Sequence, residues 1–139
     1  MPDSIDIIKT MVPDSVLLEG KVVYVDFWAS WCVPCRQSFP WMREMYNRYH
    51  RDGFEIVAVN VDKEHSAALK FLKENQTTFP IVFDSTGELA KKYGLDAMPT
   101  SFLYNRDGKL VSQNRGFQKD EAAEMQERIQ ELLIKGGSE

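Results

Sequence analysis

Two stretches of this chain are apolar almost without interruption. Val22–Trp28 carries a single charge, Asp26, and residues 54–61 carry only Glu55 and Asn60 among β-branched, aromatic and aliphatic side chains. Such runs predict strands buried on both faces of a sheet. Between them Phe39, Met42, Tyr46 and Tyr49 recur at spacings of three and four, the mark of a helix with one buried face. Gly53, after Arg51 and Asp52, suits a left-handed residue that ends this helix. A strand, a helix and a second strand of these lengths predict a right-handed parallel crossover. Pro40 lies inside the helical stretch and predicts a kink there.

The remainder continues the alternation. Ala68, Leu69, Phe71 and Leu72 among Lys and Glu predict an amphipathic helix over 66–75 with Ser66 near its start. Residues 79–83 read as a short strand, 84–87 as a turn and 88–93 as a short helix closed by Gly94. Thr100–Tyr104 and 110–113 predict an antiparallel hairpin, because Asp107-Gly108 between them is a strong tight-turn signal. Over 119–134, Ala122, Met125, Ile129 and Leu132 repeat at helical spacing, with Glu121, Glu124, Glu127 and Glu131 on the opposite, solvated face. Residues 1–20 are less regular: Ile5, Ile7 and Ile8 suggest a short helix or strand, broken at Pro13-Asp14, that packs on the sheet. Residues 136–139 read as a frayed end. The pattern as a whole predicts an α/β fold, a central mixed β-sheet flanked by helices.

Composition narrows the partners more than the fold. A length of 139 residues, 43% hydrophobic, predicts one domain spanning 1–139. The net charge of −4 supplies no basic stripe, which argues against nucleic acid and anionic lipid and towards proteins or small thiols. No apolar run approaches the roughly 18 residues that span a bilayer, and the start at Met1 lacks the basic end and long apolar centre of a signal peptide. No membrane segment is expected in this chain.

The chemistry concentrates in Trp31-Cys32-Val33-Pro34-Cys35, which holds the only two cysteines. A strand that delivers a C-x-x-C to the first turn of a helix places the first thiol against unpaired backbone N–H groups and the positive end of the helix dipole, where a thiolate is favoured. Cys32 is the candidate nucleophile. Cys35, one turn on, is placed to attack a mixed disulfide on Cys32 and release the product. A structural zinc site would need four ligands, and only His50 and His65 accompany the cysteines, too far apart in sequence to complete a pair. A copper carrier would want a wider cysteine spacing and a nearby histidine. Asp26 is expensive to ionise in a buried strand, so its pKa is expected to rise.

Residues 25–35, Val-Asp-Phe-Trp-Ala-Ser-Trp-Cys-Val-Pro-Cys, resemble the thioredoxin active-site signature, and Met98-Pro99-Thr100 resembles that family's cis-proline turn. An extra segment over about 63–85 is similar to the central insertion of the TlpA/ResA-like branch, bacterial thiol–disulfide reductases usually tethered outside the cytoplasmic membrane and often serving cytochrome c maturation. Residues 1–20 stand as an N-terminal extension, with that branch's leading β-hairpin shortened. The resemblance implies that Cys32 attacks, Cys35 resolves and Pro99 is cis beside them. It implies further that the Met98 backbone pairs with an extended substrate segment by β-strand addition, and that Trp31, Val33 and Pro34 border the substrate. Trp28 and Trp31 would shield the site. Asp26 would carry a proton for Cys35; the lysine that accompanies it in many thioredoxins aligns with Ala58, leaving Lys21 or water as its partner.

The resemblance implies a monomer without a cofactor or metal, acting on protein disulfides and recharged by an upstream electron donor. Val33-Pro34 offers no polar side chain to the Cys32 sulfur, so a reductant is expected, with a potential nearer thioredoxin's than DsbA's. The alternatives are a disulfide oxidant or isomerase on the same fold, a peroxidase variant, and a binding module without turnover. An extracytoplasmic location follows the resemblance, a cytoplasmic one the chain as it stands.

Overall fold

The computed structural model describes residues 3–135. Five helices, α1 (Asp6–Lys9), α2 (Val33–Tyr49), α3 (His65–Glu74), α4 (Glu88–Lys92) and α5 (Lys119–Lys135), surround strands β1 (Val22–Trp28), β2 (Phe54–Asn60), β3 (Ile81–Phe83), β4 (Thr100–Tyr104) and β5 (Leu110–Arg115). The strands form one sheet in the order β3-β2-β1-β4-β5. β1 pairs parallel with β2, and β2 with β3, through the α2 and α3 crossovers; β4 runs antiparallel to both β1 and β5. All seven residues of β1 and all seven of β2 are buried, as continuous apolar runs require in strands covered on both faces.

The two faces carry separate cores. Tyr24 and Trp28 of β1 pack with Phe39 and Met42 of α2, Phe71 of α3, and Met125 and Ile129 of α5. Val23, Val25 and Phe27 point the other way, onto Ile5, Ile8, Leu18, Leu89 and Tyr93. The N-terminal extension therefore packs on the sheet, as its isoleucines suggested. Ile5 N–H donates to the Gly108 carbonyl at 3.0 Å and Leu110 N–H to the Asp3 carbonyl at 2.9 Å, which seats the extension on the β4–β5 turn.

Several boundaries differ from the sequence reading. β2 ends at Asn60, and β3 is confined to three residues after Pro80, which has no N–H to give a ladder. Its carbonyl still accepts from Ala58 N–H at 3.0 Å. The second hairpin strand continues to Arg115. α2 runs through Pro40 as a single element; Pro40 lies on the exposed side, where water can satisfy the carbonyl that loses its donor. The start of α3 is Glu64 in an extended conformation with no side-chain cap, so Ser66 falls within the first turn. α4 is shorter by one residue than expected, and the Asp84 carboxylate accepts from Leu89 N–H at 3.1 Å and Ala90 N–H at 2.9 Å. The segment expected as an insertion is thus a helix followed by an edge strand beside β2. Residues 136–139, expected to fray, lie outside the described residues.

Candidate active site

β1 ends at Trp28 and the chain reaches α2 through Ala29, Ser30 and Trp31. Cys32 occupies the cap position of α2 with extended backbone (φ −91°, ψ 112°), and Pro34 fills the first turn, where a missing N–H costs nothing. Cys32 and Cys35 are joined in a disulfide with their Cα atoms 5.2 Å apart. The Cys35 N–H donates to Cys32 Sγ at 3.3 Å, and the Arg36 N–H to the Cys32 carbonyl at 3.2 Å. The first turn of the helix thus directs an amide at the sulfur that would carry negative charge in the reduced protein. Cys32 keeps 6% of its surface open and Cys35 none, so the outer sulfur is the one a large disulfide can reach.

Around Cys32 the surface is apolar. Trp31 is 64% exposed, and Val33 and Pro34 are exposed beside it. Trp28 lies in the core cluster that also holds Cys32 and Cys35, its ring 4.8 Å from Phe39 and 5.0 Å from Phe71. The Met98–Pro99 peptide is cis, and Pro99 is buried. Register sets its place: Thr100 lies opposite Phe27, so Met98 and Pro99 stand at the end of β1 from which the Cys32 loop leaves. Gly116 N–H donates to the Pro99 carbonyl and Thr100 Oγ1 to the Ala97 carbonyl, which anchors the turn on both sides of Met98.

Asp26 is 1% exposed and its Oδ2 has no hydrogen-bond partner. Alternation along β1 puts it on the face of Tyr24 and Trp28, the face that α2 and Cys35 cover. Burial pushes its pKa well above the ordinary carboxylate value. The neighbours in register are Ala58 on β2 and Ser101 on β4, so no lysine stands opposite it. Lys21 does not serve in that role: it lies five residues back along the strand, roughly 17 Å at strand rise, and its charge acts on Glu55. Tyr24, two residues before Asp26, is held above its ordinary pKa first by burial and then by the Asp26 charge.

Two further residues, Asp62 and Asn60, join the site without having been singled out, and Arg36 joins them at Ser30. Asp62, buried just beyond β2, accepts from Ser30 N–H through Oδ2 at 2.9 Å and from Ser30 Oγ through Oδ1 at 2.9 Å. Asn60 Nδ2 donates to the same Oδ2 at 2.7 Å, and its Oδ1 accepts from Asp62 N–H at 3.0 Å. On the other side Arg36 Nε donates to the Ser30 carbonyl at 2.9 Å. The only sequence signal was a polar Asn60-Val61-Asp62 ending a buried strand, a pattern any strand-to-loop exit can show. Among the described residues no group of three or more His, Cys, Asp or Glu is placed to hold a metal ion, and no helix is long and apolar enough to cross a membrane.

The mixed sheet, the C-x-x-C opening a helix and the cis-proline turn at the same sheet end define a thioredoxin-like fold. The Redoxin family model matches residues 12–129, and the chain belongs to that family, within its TlpA/ResA-like branch. It is 40% identical over 106 residues to the thiol-disulfide oxidoreductase ResA of Bacillus thuringiensis, covering 76% of this chain and 61% of that protein. The ResA of Bacillus subtilis is 40% identical over 94 residues, 68% of this chain and 52% of the relative. The chain therefore spans only about half to three fifths of the length of these relatives. Among solved structures, a candidate thiol:disulfide interchange protein DsbE from Chlorobium tepidum is 46% identical with a TM-score of 0.81, covering 84% of this chain and 82% of its own. StoA from Bacillus subtilis is 35% identical with a TM-score of 0.68, covering 78% and 82%.

Proposed function

We propose that this chain is a thiol–disulfide oxidoreductase that reduces protein disulfides through Cys32 and Cys35. The observation that carries the reading is the Cys32–Cys35 disulfide at the start of α2, with the Cys35 N–H aimed at Cys32 Sγ. In the reduced protein the Cys32 thiolate attacks one sulfur of a substrate disulfide, forming a mixed disulfide and expelling a substrate thiolate. Cys35, its proton taken up by Asp26, then attacks Cys32 Sγ. The second substrate thiolate leaves, two electrons have passed to the substrate, and the internal disulfide remains. An external dithiol restores the reduced pair.

Substrate would lie across the exposed apolar residues Trp31, Val33 and Pro34, next to the buried cis-Pro99, and pair with the Met98 backbone, which forms no backbone hydrogen bond among the described residues. The names of the relatives support thiol–disulfide exchange, and the resemblance to the TlpA/ResA-like branch is the ground for protein disulfides as substrates, an extracytoplasmic setting and cytochrome c maturation proteins as partners. The chain acts as a monomer without a resident cofactor.

Direction follows from thiolate stability. Helix-start amides favour the Cys32 thiolate, but Val33 and Pro34 add no polar side chain, so the potential is expected nearer the ~−270 mV of thioredoxin than the ~−120 mV of DsbA. Equilibration with a glutathione buffer, followed by tryptophan fluorescence, measures this. A potential above about −180 mV would reassign the protein as an oxidant or isomerase. In parallel, Cys32→Ser should abolish insulin reduction, whereas Cys35→Ser should accumulate mixed disulfides on Cys32. Turnover without Cys32 would sink the mechanism.

A further inference from the structure

The loop that presents Cys32 is short and carries an exposed tryptophan, yet one of its residues has no polar group left free. Ser30 offers a peptide N–H, a hydroxyl and a carbonyl. Asp62 takes the first two, one on each carboxylate oxygen, and Arg36 Nε takes the third. Asp62 is itself fixed, because Asn60 holds both its Oδ2 and its peptide N–H from the last residue of β2. Asn60 lies in register with Trp28, and Val61 N–H donates to the Trp28 carbonyl at 2.9 Å. The strand that precedes the loop and the strand that grips it are thereby tied at one level. By contrast, the loop's own backbone contributes only the Cys32 N–H to the Ala29 carbonyl, at 3.2 Å.

We propose that Asp62 is a positioning residue for the nucleophile: its carboxylate and the Arg36 guanidinium clamp Ser30 from opposite sides and hold the Trp31–Cys32 step in line with a disulfide docked at Met98–Pro99. A burial requirement alone does not account for the arrangement. A buried acid could be satisfied by any donors, whereas here both donors of one loop residue, two positions before the attacking sulfur, are matched to the two oxygens of one carboxylate. Attack on a disulfide requires the three sulfurs nearly in line, and a displacement of about 1 Å at the nucleophile can cost on the order of a hundredfold in rate. A clamp that removes such displacement acts on turnover while leaving the thiol chemically intact.

The inference rests on Cys32 as the attacking thiol, and its test separates the two readings. Wild type, Asp62→Ala, Asp62→Asn and Ser30→Ala are compared for insulin reduction at saturating and limiting substrate, and for Cys32 alkylation by iodoacetamide at a pH where the thiol is fully ionised. Asp62→Ala should lower kcat about ten- to a hundredfold with KM within twofold, while alkylation by the small reagent stays within twofold of wild type. Asp62→Asn should restore most of kcat, because an amide oxygen can accept from the Ser30 N–H and its NH2 can donate to the hydroxyl. Ser30→Ala, which keeps the peptide bond to Asp62, should fall between them, and it carries the test should Asp62→Ala fail to fold. Full kcat in folded Asp62→Ala, or in Ser30→Ala where that variant stands in for it, overturns the clamp. So does an Asp62→Asn variant as slow as the alanine, and so does a parallel loss of alkylation. A wild-type protein that reduces no protein disulfide overturns the functional reading and this inference with it.

Discussion

The two ends of the sheet are held by similar means for different purposes. At the end where β4 turns into β5, Arg106 donates to three backbone carbonyls: Gly20 at 3.0 Å, Asp52 at 2.9 Å and Leu133 at 3.1 Å. One guanidinium thus ties the entry of β1, the link between α2 and β2, and the last turn of α5. At the opposite end Asp62 and Arg36 spend their hydrogen bonds on a single residue, Ser30. The first arrangement joins elements that would otherwise drift apart; the second immobilises one loop that bears a reactive sulfur. Each end also buries an acid. Glu55 accepts from its neighbour's Ile56 N–H on a stretch of β2 that β3 does not cover, and Asp26 leaves Oδ2 unpaired beneath α2. Only the second lies on the face of β1 that Cys35 covers, where the proposed mechanism calls for a proton transfer.

If this division is correct, substitutions at the Asp26 end should change rate, and those at the Arg106 end should change stability alone. The largest effect is expected from Asp26→Asn, which should slow release of the mixed disulfide about a hundredfold in the range of general acid–base contributions, read by stopped-flow fluorescence. The same variant has a signed effect on stability. Because burial raises the native pKa of Asp26 above its unfolded value, the native state holds the proton more tightly, and stability falls as pH rises from the ordinary carboxylate range through the raised native value. Asp26→Asn lacks that loss. It should be more stable than wild type at pH values above the raised native value, with the difference closing below about pH 4. Urea unfolding of the oxidised proteins across this range measures it, and a difference that grows towards acid pH would contradict a buried Asp26 with a raised pKa.

Next in size is Arg106→Ala, which strands three carbonyls and should cost about 2 kcal/mol while leaving Cys32 alkylation and the redox potential unchanged. A shifted potential would erase the distinction between the two ends. The smallest effect is expected from Gly53→Ala. Gly53 has φ of 102°, and a Cβ there would stand 2.6 Å from Arg106 Nη1. The variant should lose about 1 kcal/mol through the left-handed backbone, and more if the guanidinium is displaced. A double-mutant cycle with Arg106→Ala separates the two causes, since only the displacement term disappears when Arg106 is absent.

Much of the molecule was legible in local pattern, and the reasons are local. Val22–Trp28 and the start of β2 were readable because a strand buried on both faces tolerates almost no polar residue. Cys32 and Cys35 were readable because their chemistry is set by three-residue spacing at a helix start, and Asp26 because one charge in an apolar run stands out. The boundaries of α3, α4 and β3 were less readable. Glu64 caps without a side-chain bond, Asp84 reaches forward to Leu89 and Ala90, and Pro80 shortens its strand, each a matter of backbone geometry rather than of composition.

The sequence by itself determined the alternation of elements, the dithiol and its placement at the start of α2, and the buried acid below it, since each is fixed by neighbours within a turn or a strand. Tertiary structure alone decided that Trp31 is an exposed rim residue and that Ser101 faces Asp26 from β4. It also decided that Asp62 grips Ser30 thirty-two positions away and that Arg106 reaches Gly20 across eighty-six. Hydrogen bonds between side chains and distant backbone leave no period or spacing in the chain. They exist only once the sheet has brought its ends together.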